Sequence, residues 1–193
     1  MKDCCNIASD IAARHRRVLQ VVLAINAAMF LIEFLAGLLA HSTALLADSV
    51  DMLGDAIVYG LWQGRGALLK GAIMAAFGGA VLVEVALKIA RGLVPAADLM
   101  SAIGVVALAA NASVLVFLWR HRSDDINMRS AWLCSRNDVI ANAAVVLAAG
   151  GVALSGSAWP DIVVGLAIAA LFSASAVEVI RKARRELHAV TAG

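Results

Sequence analysis

The sequence is poor in polar, charged and aromatic residues. Of its 193 residues, 62% are hydrophobic, 16% are charged and only 5% are aromatic, and the mean hydropathy is +0.87. A soluble domain is about 45–50% apolar. This chain therefore has too little polar surface to cover a water-soluble globule, and we predict an integral membrane protein.

Other protein classes are excluded because their characteristic sequence patterns are missing. The three cysteines, Cys4, Cys5 and Cys134, do not form the pattern of a disulfide framework. No long basic run with interleaved aromatic residues indicates binding to nucleic acid. No secretory signal peptide is expected, because the first apolar run is too long and has no cleavage-site pattern.

Long apolar stretches dominate what is present. We expect six of them as transmembrane helices, because each has roughly 20 residues, the length that crosses about 30 Å of hydrocarbon. The predicted fold class is an all-α membrane protein, a bundle of six transmembrane helices. The expected spans are 18–40, 42–62, 67–90, 99–119, 128–154 and 161–180.

The basic residues are unevenly distributed between the two sides of this bundle. Thirteen of the 16 Lys and Arg fall on the side that holds both termini, and segments rich in Lys and Arg stay in the cytoplasm. We therefore expect cytoplasmic N and C termini. Residues 1–17 are expected to form a polar cytoplasmic leader, 18–182 the six-span domain, and 183–193 a short basic cytoplasmic tail with no soluble domain after it.

Carboxylates inside the second apolar stretch carry the strongest functional signal. Asp48, Asp51 and Asp55 lie near its middle, and at about 100° per residue they share one face of a helix. Ionised carboxylates persist in hydrocarbon only when they are paired, face a water-filled cavity or hold a cation. The pattern therefore predicts one of these three arrangements.

Pairing with an intramembrane cation is the structural alternative. Arg136 neutralises at most one acid, and on its helix it points away from Cys134 and Asp138. We expect it to pair with Glu33, Glu84 or Asp48. The remaining excess of carboxylates on one face favours a bound cation.

A second helix offers matching ligands. Cys134 and Asp138 are four residues apart on one face of the fifth span, so two oxygen ligands from one helix would meet a sulfur and an oxygen from another. Such a set suits a divalent transition metal. Cys134 as a small packing residue stays open as an alternative. Asn142, one turn beyond Asp138, is a candidate for orienting it from outside the ligand set.

Two motifs together resemble a known family. The runs ALLADSVDMLGDA and INMRSAWLCSRNDVIANAAVVLAAG are similar to the second and fifth spans of the cation diffusion facilitators. In that family, an acid or His with an Asp four residues later follows an Ala-Asp dipeptide, and a His with an Asp four residues later lies in the fifth span. The resemblance implies a metal site of Asp51, Asp55, Cys134 and Asp138, with Asp48 in a secondary role.

The same resemblance implies export of Zn²⁺ or a similar divalent ion in exchange for protons, generally by a homodimer. This chain departs from the family pattern at Cys134, where His is usual, which favours softer ions such as Cd²⁺. The His-rich loop and the cytoplasmic C-terminal domain of the family are missing from the sequence, so we expect dimer contacts through the spans. The connection between the second and third spans is also short.

We therefore predict a Zn²⁺/Cd²⁺-like cation efflux transporter, a metal/proton antiporter in the bacterial cytoplasmic membrane. Its expected partners are membrane lipid, divalent metal ions, protons and a second copy of the chain. No prosthetic group and no enzymatic activity are expected, and Co²⁺ or Fe²⁺ remain alternative cargoes. One alternative is a non-transporting membrane metal-binding accessory or sensor subunit. Another is an intramembrane aspartyl protease in which Asp55 and Asp138 share a proton.

Overall fold

The computed structural model describes residues 2–60, 64–123, 126–171, 173–174 and 177. Within them the chain forms helices and no strand, as the all-α prediction requires. The predicted tail at 183–193 and most of the sixth span beyond residue 171 lie outside the described residues. The helices are α1 (Lys2–Ala40), α2 (Thr43–Gly60), α3 (Gly64–Arg91), α4 (Ala97–Trp119), α5 (Ile126–Ser155) and α6 (Trp159–Leu171).

Three of the described helices are long and apolar enough to cross a membrane. The qualifying segments are Gln20–Ala40 in α1, Ala97–Trp119 in α4 and Ser135–Ser155 in α5. Over its described residues, α6 is a shorter apolar helix. Helix α2 has 18 residues and carries three aspartates, so its composition differs from that of an ordinary span.

Two helices begin earlier than the spans expected from the sequence. The first span was expected from residue 18, and α1 starts at Lys2, so this helix includes the residues assigned to the leader. The third span was expected from residue 67, and α3 begins at Gly64. A glycine costs a helix position only about 1 kcal/mol, so the apolar residues beyond it can sustain the helix.

Tight turns end α1, α3 and α5. Each turn contains a residue with positive φ, namely His41 at 52°, Gly92 at 63° and Gly156 at 62°. The left-handed residue lets the chain reverse while its neighbour's amide bonds back to the helix. The amide of Ser42 donates to the carbonyl of Gly37 at 2.9 Å. These turns bring the start of α2, the end of α3 and the start of α6 to one end of the bundle.

The apolar core is built from small side chains. Alanines of α1, α2 and α5 pack there with Leu45, Met100 and Val145. Gly104 of α4 lies so close to α5 that an added Cβ would meet Val146 Cγ2 at 3.0 Å. Small residues let helix backbones approach closely, which is how helices associate in lipid.

A buried polar network, here called the clamp, holds one end of this bundle together. Its members are Ser42, Thr43, Lys88 and Asp161, and all four are buried. Asp161 accepts hydrogen bonds from Ser42 Oγ at 2.6 Å, from the amide of Thr43 at 2.8 Å and from Lys88 Nζ at 2.5 Å. The clamp therefore joins the first turns of α2 and α6 to the last turn of α3.

Candidate metal centre

Polar side chains from four helices are buried in the middle of the bundle. Each is at most 2% exposed, although the surrounding core is apolar. Burying polar groups costs free energy unless they find partners, and ionisable groups inside membrane-spanning helices are usually functional. The set comprises Asn26 and Glu33 of α1, Asp48 of α2, Asn111 of α4, and Asp138 and Asn142 of α5.

Glu33 lies near acids of two other helices. Its side chain is fully buried, and Asp138, Asp48 and Asp51 act on it electrostatically. We call these four residues the acid cluster. Helices α1, α2 and α5 thus all carry acids in this part of the bundle.

The sequence pointed to Glu33 as a structural partner, for Arg136 among others, or as a pathway acid, and not as a primary ligand. A stronger signal was its position in the middle of the first apolar stretch, where an acid is a functional candidate by default. What the sequence did not show is which neighbouring helix Glu33 faces. That depends on how α1 and α2 pack across the tight turn at His41.

The predicted pairing of Arg136 with Glu33, Glu84 or Asp48 is wrong for these described residues. Apart from their contact with each other, the Glu33 and Asp48 carboxyl groups receive no hydrogen bond from any described residue. Arg136 is exposed. Its guanidinium contacts the Asn137 side chain at 3.5 Å and lies 5.8 Å from the ring centroid of Trp132.

Asp51 opens onto a cavity between α2, α5 and α6. The carboxylate is partly buried, and the cavity has a volume of about 510 Å³. Among the described residues that line this cavity, Asp51 is the one with an ionisable side chain. The lining also includes Asn137, Ile140, Ala141 and Ala144 of α5, and Val164, Ala167, Ile168 and Leu171 of α6. A cation in this cavity would therefore meet an acid in otherwise mostly apolar walls.

The amides beside the acid cluster make specific contacts. Asn142 Nδ2 donates to the backbone carbonyl of Asp138 at 2.8 Å, so this bond reaches the Asp138 backbone and not its carboxylate. Asn111 Nδ2 lies 3.7 Å from Met52 Sδ. The oxygens Asn111 Oδ1 and Asn142 Oδ1 accept no hydrogen bond from a described group, and both remain available as acceptors.

The other two predicted ligands are placed only by their backbones. Asp55 lies on α2 and Cys134 on α5, and their side chains lie outside the described residues, as do those of Cys4 and Cys5. Among the side chains that are described, no three His, Cys, Asp or Glu converge closely enough to hold a metal ion. The four-ligand set of Asp51, Asp55, Cys134 and Asp138 therefore stays a prediction.

The matched family accounts for both the apolar helices and their buried acids. The model of the cation efflux transmembrane domain matches residues 19–62 and 65–188. The chain belongs to the cation efflux family. Members of this family transport divalent cations across membranes and are transporters, not enzymes. Membership and the apolar helices together make this an integral membrane protein of cation transport.

The two matched segments contain every residue of the acid cluster and both helices that carry the predicted ligands. Both ends of the clamp, Ser42 and Asp161, also lie within them. No curated protein matches the sequence significantly.

Proposed function

We propose that the chain is a divalent transition-metal efflux transporter that carries Zn²⁺ or Cd²⁺ and exchanges them for protons. The observation that supports this most is the acid cluster, in which Glu33 of α1 interacts with acids of α2 and α5. Two of its members, Glu33 and Asp48, are buried without a hydrogen bond from any other described group. Such carboxylates are costly in a membrane interior unless a cation or a proton neutralises them.

The proposed metal ligands are Asp51, Asp55, Cys134 and Asp138. Carboxylate oxygens bind most divalent ions, whereas a thiolate favours Zn²⁺ and Cd²⁺ over Mg²⁺ and Ca²⁺, which prefer all-oxygen shells. Asp48 and Asn142 would support the site without binding the ion. Asp51 would receive the ion from the cavity between α2, α5 and α6.

Proton exchange follows from the chemistry of these ligands. A metal ion displaces any protons that a thiol and carboxyl groups carry, so metal affinity and pH are linked. When the ion leaves, protonated acids cross the low-dielectric interior at a lower free-energy cost than ionised ones. Asp51 and Asp55 would be both ligands and proton carriers in this cycle.

The proposed topology has six spans within residues 18–182, with the leader at 1–17, the tail at 183–193 and both termini in the cytoplasm. The proposed location is the bacterial cytoplasmic membrane, and the proposed assembly is a homodimer. The distribution of Lys and Arg in the sequence supports this orientation.

The function is tested by metal-driven proton flux in proteoliposomes that contain the purified protein alone and a trapped pH-sensitive dye. We expect flux with Zn²⁺ or Cd²⁺ and at least a tenfold loss in Asp138→Asn and Asp51→Asn. Asp98→Asn is the matched control, because Asp98 lies in the first turn of α4 and outside the acid cluster. Undiminished flux in Asp138→Asn would show that the assigned site is wrong.

Two further results separate the alternatives. Cys134→His should change the ratio of Cd²⁺ to Zn²⁺ transport, and an unchanged ratio would return Cys134 to a packing role. Tight stoichiometric metal binding without flux would instead favour the accessory or sensor subunit.

A further inference from the structure

We propose that the clamp positions the metal-binding face of α2, and that Lys88 and Asp161 are therefore positioning residues of the transport site. This inference rests on the proposed function. It assigns a role to a fully buried ion pair that has no part in metal binding or in proton exchange as proposed above.

The first step is the way in which α2 begins. The first amides of a helix have no partner within it and need an outside acceptor. Here Asp161 Oδ2 accepts from the amide of Thr43 at 2.8 Å, and Oδ1 accepts from the amide of Ala44 at 3.1 Å. Ser42 Oγ accepts from the amide of Leu45 at 3.1 Å. A carboxylate on α6 thus caps α2 and fixes the position of its first turn.

The second step is the charge that balances this carboxylate. Lys88 Nζ bonds to Asp161 Oδ2 at 2.5 Å and to Thr43 Oγ1 at 2.8 Å, and the side chains of Lys88 and Asp161 are both fully buried. Removing one member of a buried ion pair leaves an uncompensated charge in the interior. Lys88 therefore holds the Asp161 carboxylate in place as the cap of α2.

The third step is steric. The first turn of α2 lies between the backbones of α1 and α6, and both approach it at a glycine. A Cβ on Gly165 would lie 2.7 Å from Thr43 Cγ2 and 2.8 Å from the carbonyl carbon of Thr43. A Cβ on Gly37 would lie 2.9 Å from Leu46 Cγ. Neither glycine leaves room for the first turn of α2 to move sideways.

The last step connects this end to the acids. Asp48 and Asp51 follow Thr43 on the same unbroken helix, and Asp51 lies about 12 Å along the axis from Thr43. A change of one residue in the register of α2 rotates its side chains by about 100°. The clamp therefore sets whether Asp48 and Asp51 face Glu33, with which both interact in this structure.

The test compares Lys88→Met and Gly165→Ala with Lys88→Arg, which keeps the charge. Gly150→Ala is the matched control, because nothing lies within 4 Å of a Cβ added there. Two quantities are measured on the folded, detergent-solubilised protein. One is hydrogen exchange of the Thr43–Leu45 amides without metal, and the other is the Zn²⁺ dissociation constant. A variant that does not fold is replaced by Ser42→Ala, which removes only the hydroxyl that donates to Asp161 and accepts from the Leu45 amide.

We expect faster exchange at the start of α2 and at least a tenfold weaker Zn²⁺ affinity in Lys88→Met and Gly165→Ala. Lys88→Arg should recover part of the affinity, and Gly150→Ala should match the unmodified protein. Faster exchange or lower stability with unchanged Zn²⁺ affinity would make the clamp merely structural and overturn the inference. If the unmodified protein binds no metal, the proposed function fails first and the positioning role fails with it.

Discussion

The protein contains two buried polar regions that are built in opposite ways. In the clamp, the Asp161 carboxylate receives hydrogen bonds from Ser42, Thr43, Ala44 and Lys88. In the acid cluster, Glu33 and Asp48 are just as buried, yet apart from their contact with each other they receive no hydrogen bond from a described group.

This difference in hydrogen bonding indicates that the clamp serves stability and that the acid cluster serves function. A buried carboxylate whose oxygens are all bonded, with a cation beside it, holds helices together. Buried carboxylates without donors destabilise the empty protein, and they are retained where an ion or a proton supplies the missing partner. Both regions include residues of α2. The clamp caps this helix, and the same helix carries Asp48 and Asp51 of the acid cluster.

The largest effect is expected at the clamp. Asp161→Ala removes the cap of α2 and leaves Lys88 buried without its counter-ion, so we expect a loss of about 3–5 kcal/mol in the free energy of unfolding. Unfolding of the detergent-solubilised protein by titration with SDS measures this loss. A change below about 1 kcal/mol would mean that the buried ion pair contributes little to the fold.

An effect of opposite sign is expected in the acid cluster. Glu33→Met replaces a buried carboxyl group by an apolar side chain of similar length, and we expect the metal-free protein to gain about 1–3 kcal/mol in its free energy of unfolding. Titration of the detergent-solubilised protein with SDS measures this gain. The stabilisation of the protein by added Zn²⁺ should shrink in this variant, because a carboxyl group beside the proposed ligands has been removed.

The prediction for Glu33 is contradicted if Glu33→Met destabilises the metal-free protein as strongly as Asp161→Ala does. That result would mean that Glu33 is a structural group with a partner, and the contrast between the two regions would disappear.

The smallest effect is expected at Arg136. Because Arg136 is exposed and contacts Asn137 and Trp132, Arg136→Ala should change the free energy of unfolding by less than about 0.5 kcal/mol. The Zn²⁺ dissociation constant of the detergent-solubilised variant should not change. A large loss of affinity would revive the hypothesis that Arg136 balances the charge of the acids.

The sequence predicted the helices better than their contacts. Helix α4 was expected over 99–119 and covers Ala97–Trp119, and α5 was expected over 128–154 and covers Ile126–Ser155. Long apolar stretches bounded by polar or turn residues are enough for this, because their length and composition decide the outcome. The same evidence predicted that three aspartates share one face of α2, and for Asp55 this stays a prediction.

The clamp and the central position of Glu33 were not predictable in this way. Lys88 and Asp161 are 73 residues apart, and each stands near a helix end, where the sequence suggests contact with solvent. Whether such residues meet depends on the turns at His41, Gly92 and Gly156 and on the close approach of α6 at Gly165. These are properties of helix packing, which single-helix periodicity does not contain.

The distance along the chain between the two ends of the clamp has a consequence for biosynthesis. Ser42 and Asp161 are separated by 119 residues, so α2 and Lys88 leave the ribosome long before their shared partner is made. Until α6 is inserted, the ammonium group of Lys88 and the first amides of α2 lack this acceptor in a medium that offers few others. An unfinished chain thus displays unpaired polar groups, the kind of defect by which a cell can distinguish it from the completed protein.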